Sequence, residues 1–251
     1  MNLRTRLGSL AIGVVTCAAL AAFPARAEID RDTMVGLWLF DENGGAITQD
    51  RSDGGHDGIL KRAPVWTDGR YGSGMDFQVG KGSYVKIDES AADFPFGGTD
   101  PFTITAWINP RTGGVVVSKF NGGVIGAYIL RIDAAGGVTF HREVAPWGLA
   151  SAGRAPDGEF WHVAATYDGS DMRILVDGVQ VAEEPRGAQN LDEVTAVLIG
   201  ASFSGNIPGG FFDGLIDEVA IFNVALSEDD VQEVMRGLAG PEAVSPAGKA
   251  A

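Results

Sequence analysis

The sequence predicts an all-β fold in which two antiparallel sheets pack into a sandwich, with one short helix near the C-terminus. Three observations lead there. From Met34 to Phe222, short runs of β-branched and aromatic residues alternate with Gly, Asp, Asn and Pro, the pattern of many short strands joined by tight turns. Thirty-six glycines and a charged fraction of 21% suit such turns better than long helices. Two Asp-Gly pairs, Asp168-Gly169 and Asp177-Gly178, place glycine where a hairpin requires positive φ.

In chain order, strands are predicted at residues 35–41, 58–62, 74–79, 84–88, 102–109 and 115–119. Further strands follow at 127–133, 138–142, 161–167, 172–176, 180–183, 196–200 and 214–222. The two Asp-Gly turns join the runs WHVAATY, MRILV and VQV into a meander. Ser227 followed by Asp230 has the form of a capping box, and Glu228, Asp229 and Asp230 suit the positive end of a helix dipole. Gly237 can close that helix. Val231, Val234, Met235 and Leu238 recur at three- and four-residue spacing, so the helix lays one apolar side on the sandwich.

The ends of the chain read differently. Arg4 and Arg6, the uncharged apolar run 7–23 and the segment Ala25-Arg26-Ala27 predict a cleavable signal peptide over residues 1–27, with Glu28 as the mature N-terminus. The run is shorter than the roughly 20 residues of a spanning helix, so no membrane span is expected after cleavage. Cys17, the only cysteine, lies within it, which leaves the mature chain without a thiol. Residues 28–239 suit one domain, since all-β folds often run to about 200–250 residues. Residues 240–251 lack the apolar content to pack and read as a flexible tail. The expected location is secreted or periplasmic.

The formal charge is −14, and loss of Arg4, Arg6 and Arg26 with the signal peptide makes the mature chain more acidic still. Such a surface repels nucleic acid and excludes it as a partner. It also leaves carboxylates available to divalent cations.

Four segments in order carry a family likeness: GLWLFDENGGAITQDRSDGGHDGIL, GSYVKI, FWHVAATYDGSDMRILVDG and GLIDEVAIFNVALSEDDVQ. Together they span nearly all of residues 34–237, and the chain resembles the laminin-G-like jelly-roll domains of the concanavalin A-like lectin/glucanase superfamily. The resemblance implies a jelly-roll sandwich with its first and last strands paired, a calcium site in many members, and a role in glycan binding or adhesion. It does not imply one ligand, because fold and function separate in such widely used architectures. The loop at residues 50–58 departs from the family's Gly-Asn pattern by placing Asp53-Gly54 there.

If Val219 and Ile221 face the core, strand alternation places Asp217 on the same side, where an ionised carboxylate needs a partner or a cation. Trp38 and Phe40 share parity with Glu42, and Asp41 points the other way. Pairing the first and last strands would bring Asp41 or Glu42 near Asp217, with the loop at 50–57 close by. Calcium, which takes six to eight oxygen ligands, fits such a set. The candidate ligands are Asp41, Glu42, Asp50, Asp53 and Asp217. Their alternative role is to accept backbone N–H bonds or shape turns.

Glycan recognition needs exposed aromatic faces and a few hydrogen-bonding groups. Trp38, Trp107 and Trp161 sit in core-like alternation. Trp66 lies between Pro64 and Asp68, and Trp147 follows Pro146, so both suit loops. With Phe120, Asn121, Tyr128 and Phe203 they form the candidate ligand-binding set; the alternative for each is to cover an end of the sandwich. Catalysis has less support. No Glu-x-Asp-x-x-Glu run appears, and Asp217-Glu218 are adjacent, so on a regular strand they cannot act as a glycosidase pair. His56, His141 and His162 have no cysteine or serine elbow beside them and read as structural.

The resulting expectation is a secreted, non-catalytic binding module for glycan or another surface polymer, with a structural calcium ion. The alternatives are a structural or protein-interaction domain and, third, an enzyme of the glucanase or lyase type.

Overall fold

A computed structural model describes residues 29–87, 92–154 and 156–238; the expected signal peptide and C-terminal tail lie outside them. In chain order the strands are β1 (Met34–Trp38), β2 (Ile47–Thr48), β3 (Gly58–Lys61), β4 (Val65–Asp68), β5 (Ser73–Phe77) and β6 (Tyr84–Ile87). Next come β7 (Phe102–Gly122), β8 (Ile125–Ile132), β9 (Val138–Arg142), β10 (Gly148–Ser151), β11 (Trp161–Tyr167), β12 (Asp171–Val176) and β13 (Val179–Pro185). The chain ends with β14 (Leu198–Ile199), β15 (Ser202–Ser204), β16 (Ile207–Gly209), β17 (Asp213–Phe222) and the helix α1 (Glu228–Val234).

Two sheets form. The first runs β13-β12-β11-β7-β17, with β1 beside the C-terminal half of β17 and the β5-β4 pair beside its N-terminal half. The second runs β10-β9-β8-β7-β14-β6-β3-β2. The β15-β16 hairpin lies along the end of β7, where Phe203 faces Asn121 in the register. The expected pairing of first and last strands is present, Met34 opposite Phe222 and Trp38 opposite Val219.

Residues 102–109 and 115–119 were expected as separate strands, but they belong to one element that passes from the first sheet into the second. The passage is made at Gly113 and Gly114, with φ of +88° and +124°, a region that disfavours any side chain. A Cβ on Gly114 would also lie 2.4 Å from the Phe211 carbonyl oxygen. The short strands β2, β4, β10, β15 and β16 carry too little alternation to show in the sequence.

Between the sheets lies the main core, which includes Trp38, Phe77, Ile104, Val117, Leu130, Phe140 and Trp161. Truncating a buried Trp such as Trp161 to Ala would cost about 3–5 kcal/mol. The outer face of the first sheet is covered by α1: Val231 packs on Ala164 and Leu175, while Val234 and Leu238 join Leu37, Leu39, Ala220 and Phe222. The capping box is as expected, with Ser227 Oγ accepting from Asp230 N and the Asp230 carboxylate accepting from Ser227 N. Gly237 ends the helix at φ +104°. Among the described residues, no helix is long and apolar enough to cross a membrane.

Candidate functional site

The acids expected as calcium ligands divide into two groups, and each is occupied by backbone amides. Asp217 Oδ2 accepts from the amides of Arg70 (2.7 Å) and Tyr71 (3.0 Å), and its Oδ1 accepts from Glu218 N (2.9 Å). Asp41 reaches the same loop from the other side, accepting from Ser73 N. Elsewhere, Asp50 accepts from the amides of Leu37, Ser52 and His56, and Glu42 accepts from Gln49 N. Asp53 is exposed. No group of three or more His, Cys, Asp or Glu residues among the described residues is arranged to hold a metal ion. Asp41, Glu42, Asp50 and Asp217 thus act as acceptors of backbone amides.

The parity argument for Asp217 fails for a local reason. Glu218 has φ +49°, and the register with β7 jumps from Asp217 opposite Trp107 to Ala220 opposite Thr105. This is a β-bulge, which inserts a residue and reverses the alternation beyond it. Ile216 therefore faces the main core before the bulge, as do Val219 and Ile221 after it, and Asp217 points to the outer face beneath Arg70 and Tyr71. Trp107, expected in the core, sits on that face too. Its ring is edge-on to Tyr71 and to His162, and the Arg70 guanidinium lies 4.6 Å from its centroid. Burial pushes Asp217 up to about 8, against its amide donors, and Glu218 up to about 7; it pushes His162 down to about 3. These shifted groups are all buried.

An open site exists on the second sheet. In β9, Val138 and Phe140 face the core, so His141 points outward. The turn after β9 returns through Trp147, held by Arg142 N to Trp147 O and Trp147 N to Val144 O bonds at 2.9 and 2.8 Å. Trp147 has φ +61° and is 51% exposed. A bulky aromatic residue is rarely held in this conformation, and such outliers concentrate at functional sites. Its ring lies parallel to His141, with centroids 6.4 Å apart and planes 10° apart. His141 in turn meets Phe120 edge-on at 5.2 Å.

Phe120 reaches this face because β7 is irregular between Lys119 and Phe120. Its ring lies across Gly126, where a Cβ would approach to 2.2 Å. Beside Phe120 opens a cleft of about 500 Å³, bounded by Asn121, Val124, Glu143, Asn190 and Leu191. Glu143 Oε2 is 3.0 Å from His141 Nε2. Asn121 is fixed by reciprocal bonds to Asn206, donating to its side-chain oxygen and accepting from its amide. Three aromatic rings thus form a shelf leading into a cleft with amide and carboxylate groups on its wall.

Of the six aromatic and amide candidates, Phe120, Asn121 and Trp147 meet at this shelf, and Phe203 lies next to Asn121 on β15. Trp66 does not join them; it is half-buried on β4 of the other sheet and donates to Gly45 O. Tyr128 is a correction. It is fully buried, opposite Lys119 and Arg142, and cannot offer a face to a ligand. Its strand begins at Ile125 rather than at residue 127, so Tyr128 lies inside the strand and points inward. His141, Glu143, Asn190 and Leu191 were missed. A signal existed for two of them, since His141 and Glu143 are two residues apart before Pro146-Trp147, but Leu191 arrives from a distant loop with no local pattern.

The fold is a jelly-roll sandwich with an open aromatic shelf on its second sheet. The model of the laminin-G family within the concanavalin A-like lectin/glucanases superfamily matches residues 79–232, more than half of the chain, and the chain belongs to that family. A comparison with curated protein sequences finds no match. Among solved structures, domain 4 of AbnA, a GH43 extracellular arabinanase from Geobacillus stearothermophilus in complex with arabinotriose, superposes with a TM-score of 0.61 at 17% identity, covering 80% of this chain and 98% of that one. The binding domain of Paraclostridial mosquitocidal protein 1 gives 0.61 at 14% identity, covering 81% and 52%. The binding domain of botulinum neurotoxin DC in complex with SialylT gives 0.59 at 11%, covering 82% and 51%. This chain therefore spans about half the length of the two toxin binding domains.

Proposed function

We propose that this protein is an extracytoplasmic, non-catalytic glycan-binding module whose ligand lies on the Phe120–His141–Trp147 shelf and extends into the adjoining cleft. The observation that carries the reading is Trp147, half-exposed in a left-handed backbone conformation and stacked on His141 beside the cleft. Sugar rings present a C–H face that packs on aromatic faces, while their hydroxyls need fixed amide and carboxylate partners. The shelf and the cleft wall supply both. The arabinanase domain and the toxin binding domain, whose structures hold arabinotriose and SialylT, support a binding role for this architecture. Export through the residue 1–27 signal peptide belongs to the same reading.

A second reading, protein contact, has one observation in its favour. Among the described residues β13 pairs with β12 alone, and it exposes Val179 and Val181, a free edge of the kind that accepts an added strand. A glycan-binding screen of the wild type beside Trp147→Ala and Phe120→Ala separates the two. The first reading requires binding that both substitutions weaken. Glycan binding that neither alters, or none at all, removes it.

A further inference from the structure

We infer that the shelf and cleft select uncharged saccharides and reject acidic ones, an inference that rests on the glycan-binding reading above. Acidic glycans such as sialosides and uronates are normally held by Arg or Lys, whose donors match a carboxylate. Among the described residues no Lys or Arg lines this cleft, and the one charged side chain on its wall is Glu143.

The cations on the neighbouring strands are turned inward and engaged there. Lys119, next to Phe120, is fully buried and donates from Nζ to Thr195 O at 2.6 Å. Arg142, next to His141, is fully buried, stacks 3.4 Å from the Tyr167 ring centroid and donates to Gly187 O and Gly98 O. Arg186, packed under the shelf turn, donates to Gly148 O and pairs with Glu184. Arg131 is the exposed cation of β8; it sits opposite Thr139, on the same face as His141 and diagonal to it at the rim of the shelf, but it does not line the cleft. An anionic group seated in the cleft would therefore lose hydration, meet no counter-charge on its wall and face the Glu143 carboxylate. Unpaired like charges across a contact weigh heavily against a partner. A neutral sugar meets apolar walls at Phe120, Val124 and Leu191, with amide and carboxylate groups for its hydroxyls.

The test uses isothermal titration of the whole mature protein with arabinotriose, cellotriose and tri-N-acetylchitotriose against sialyllactose and trigalacturonate. Wild type should bind at least one neutral probe and neither acidic one. Glu143→Gln should narrow the gap, and Glu143→Lys should create binding of an acidic probe, raising its affinity by about tenfold or more. The Glu143 side chain is 25% exposed and, among the described residues, bonded only to the outward-facing His141, so both variants should fold, which a thermal melt checks. If acidic probes bind wild type as well as neutral ones do, and Trp147→Ala abolishes both, the charge selection is wrong while the glycan site stands. If no probe binds, or binding ignores Trp147→Ala, the site itself is wrong and the selectivity falls with it.

Discussion

The protein places a Trp beside a His twice, with opposite results. On the first sheet, Trp107 and His162 lie 5.3 Å apart and buried, with Tyr71 and Arg70 against Trp107; Trp107 Nε1 and both His162 ring nitrogens have no hydrogen-bond partner among the described residues. On the second, Trp147 and His141 stack at 6.4 Å in the open, with the imidazole bonded to Glu143. Residue type does not separate the pairs. Cover does, since the first sheet has a helix packed on its outer face and the second has none there. The buried pair serves stability and the open pair is free to meet a ligand.

The largest effect that would break this contrast is expected at Asp217. Removing its carboxylate strands three amides, those of Arg70, Tyr71 and Glu218. The Glu218 donor is buried and the other two partly so; a buried donor left unsatisfied costs about 1–3 kcal/mol, so Asp217→Ala should lower stability by about 2 kcal/mol or more in urea unfolding, with glycan binding unchanged in the folded fraction. A loss below about 0.5 kcal/mol, the usual range for a surface change, would show that the covered face is not structural.

The second effect concerns pH. Asp217 and Glu218 have folded pKa values raised from 3.8 to about 8 and from 4.5 to about 7, chiefly by burial. In the folded state they hold protons that the unfolded chain releases, so their contribution is full below the unfolded values and is lost as pH rises through the folded ones. His162, lowered from 6.5 to about 3, acts oppositely and costs stability as pH falls below 6.5. Between about pH 6.5 and 8 the carboxyls act alone. Stability measured by denaturant midpoint should fall across that window, and Asp217→Asn should flatten the fall; a rise there would overturn the assignment.

A smaller effect sharpens the contrast from the open side. Trp147→Ala should reduce affinity for a bound glycan by about tenfold or more, as for an exposed aromatic anchor, while stability changes by less than about 0.5 kcal/mol. Thermal melts beside titrations read both at once. The smallest effect is expected from calcium. With Asp41, Glu42, Asp50 and Asp217 engaged by amides, saturating calcium and chelator should give the same melting temperature, and an upward shift abolished by Asp217→Asn would place an ion there.

Much of the scaffold was legible because its signals are local. The Asp-Gly turns, the Ser227–Asp230 cap and the alternation in WHVAATY each specify their geometry within a few residues, and all are present. Trp147 and Phe120 were legible as shelf residues because Pro146 and the Phe-Asn-Gly-Gly stretch mark the ends of strands. Asp217 was misplaced because one bulge at Glu218 reverses parity, and a bulge at a non-glycine residue leaves no mark in the pattern. Trp107 was misplaced for a different reason: Phe102, Ile104, Ala106 and Ile108 take the inner face of β7, so regular alternation turns Trp107 outward. Asn190 and Leu191 were invisible because tertiary packing brings them to the cleft.

The pairing of β1 with β17 sets a timetable for the chain. The first strand of the domain has its partner at Phe222, almost the last residue of the sheet, and β7 cannot complete the first sheet until β17 lies beside it. A ribosome must finish nearly the whole polypeptide before that sheet can close. Such long-range pairing makes folding slow and keeps the early strands open in the meantime. A chain built this way cannot take its stable form until its last strand has been made.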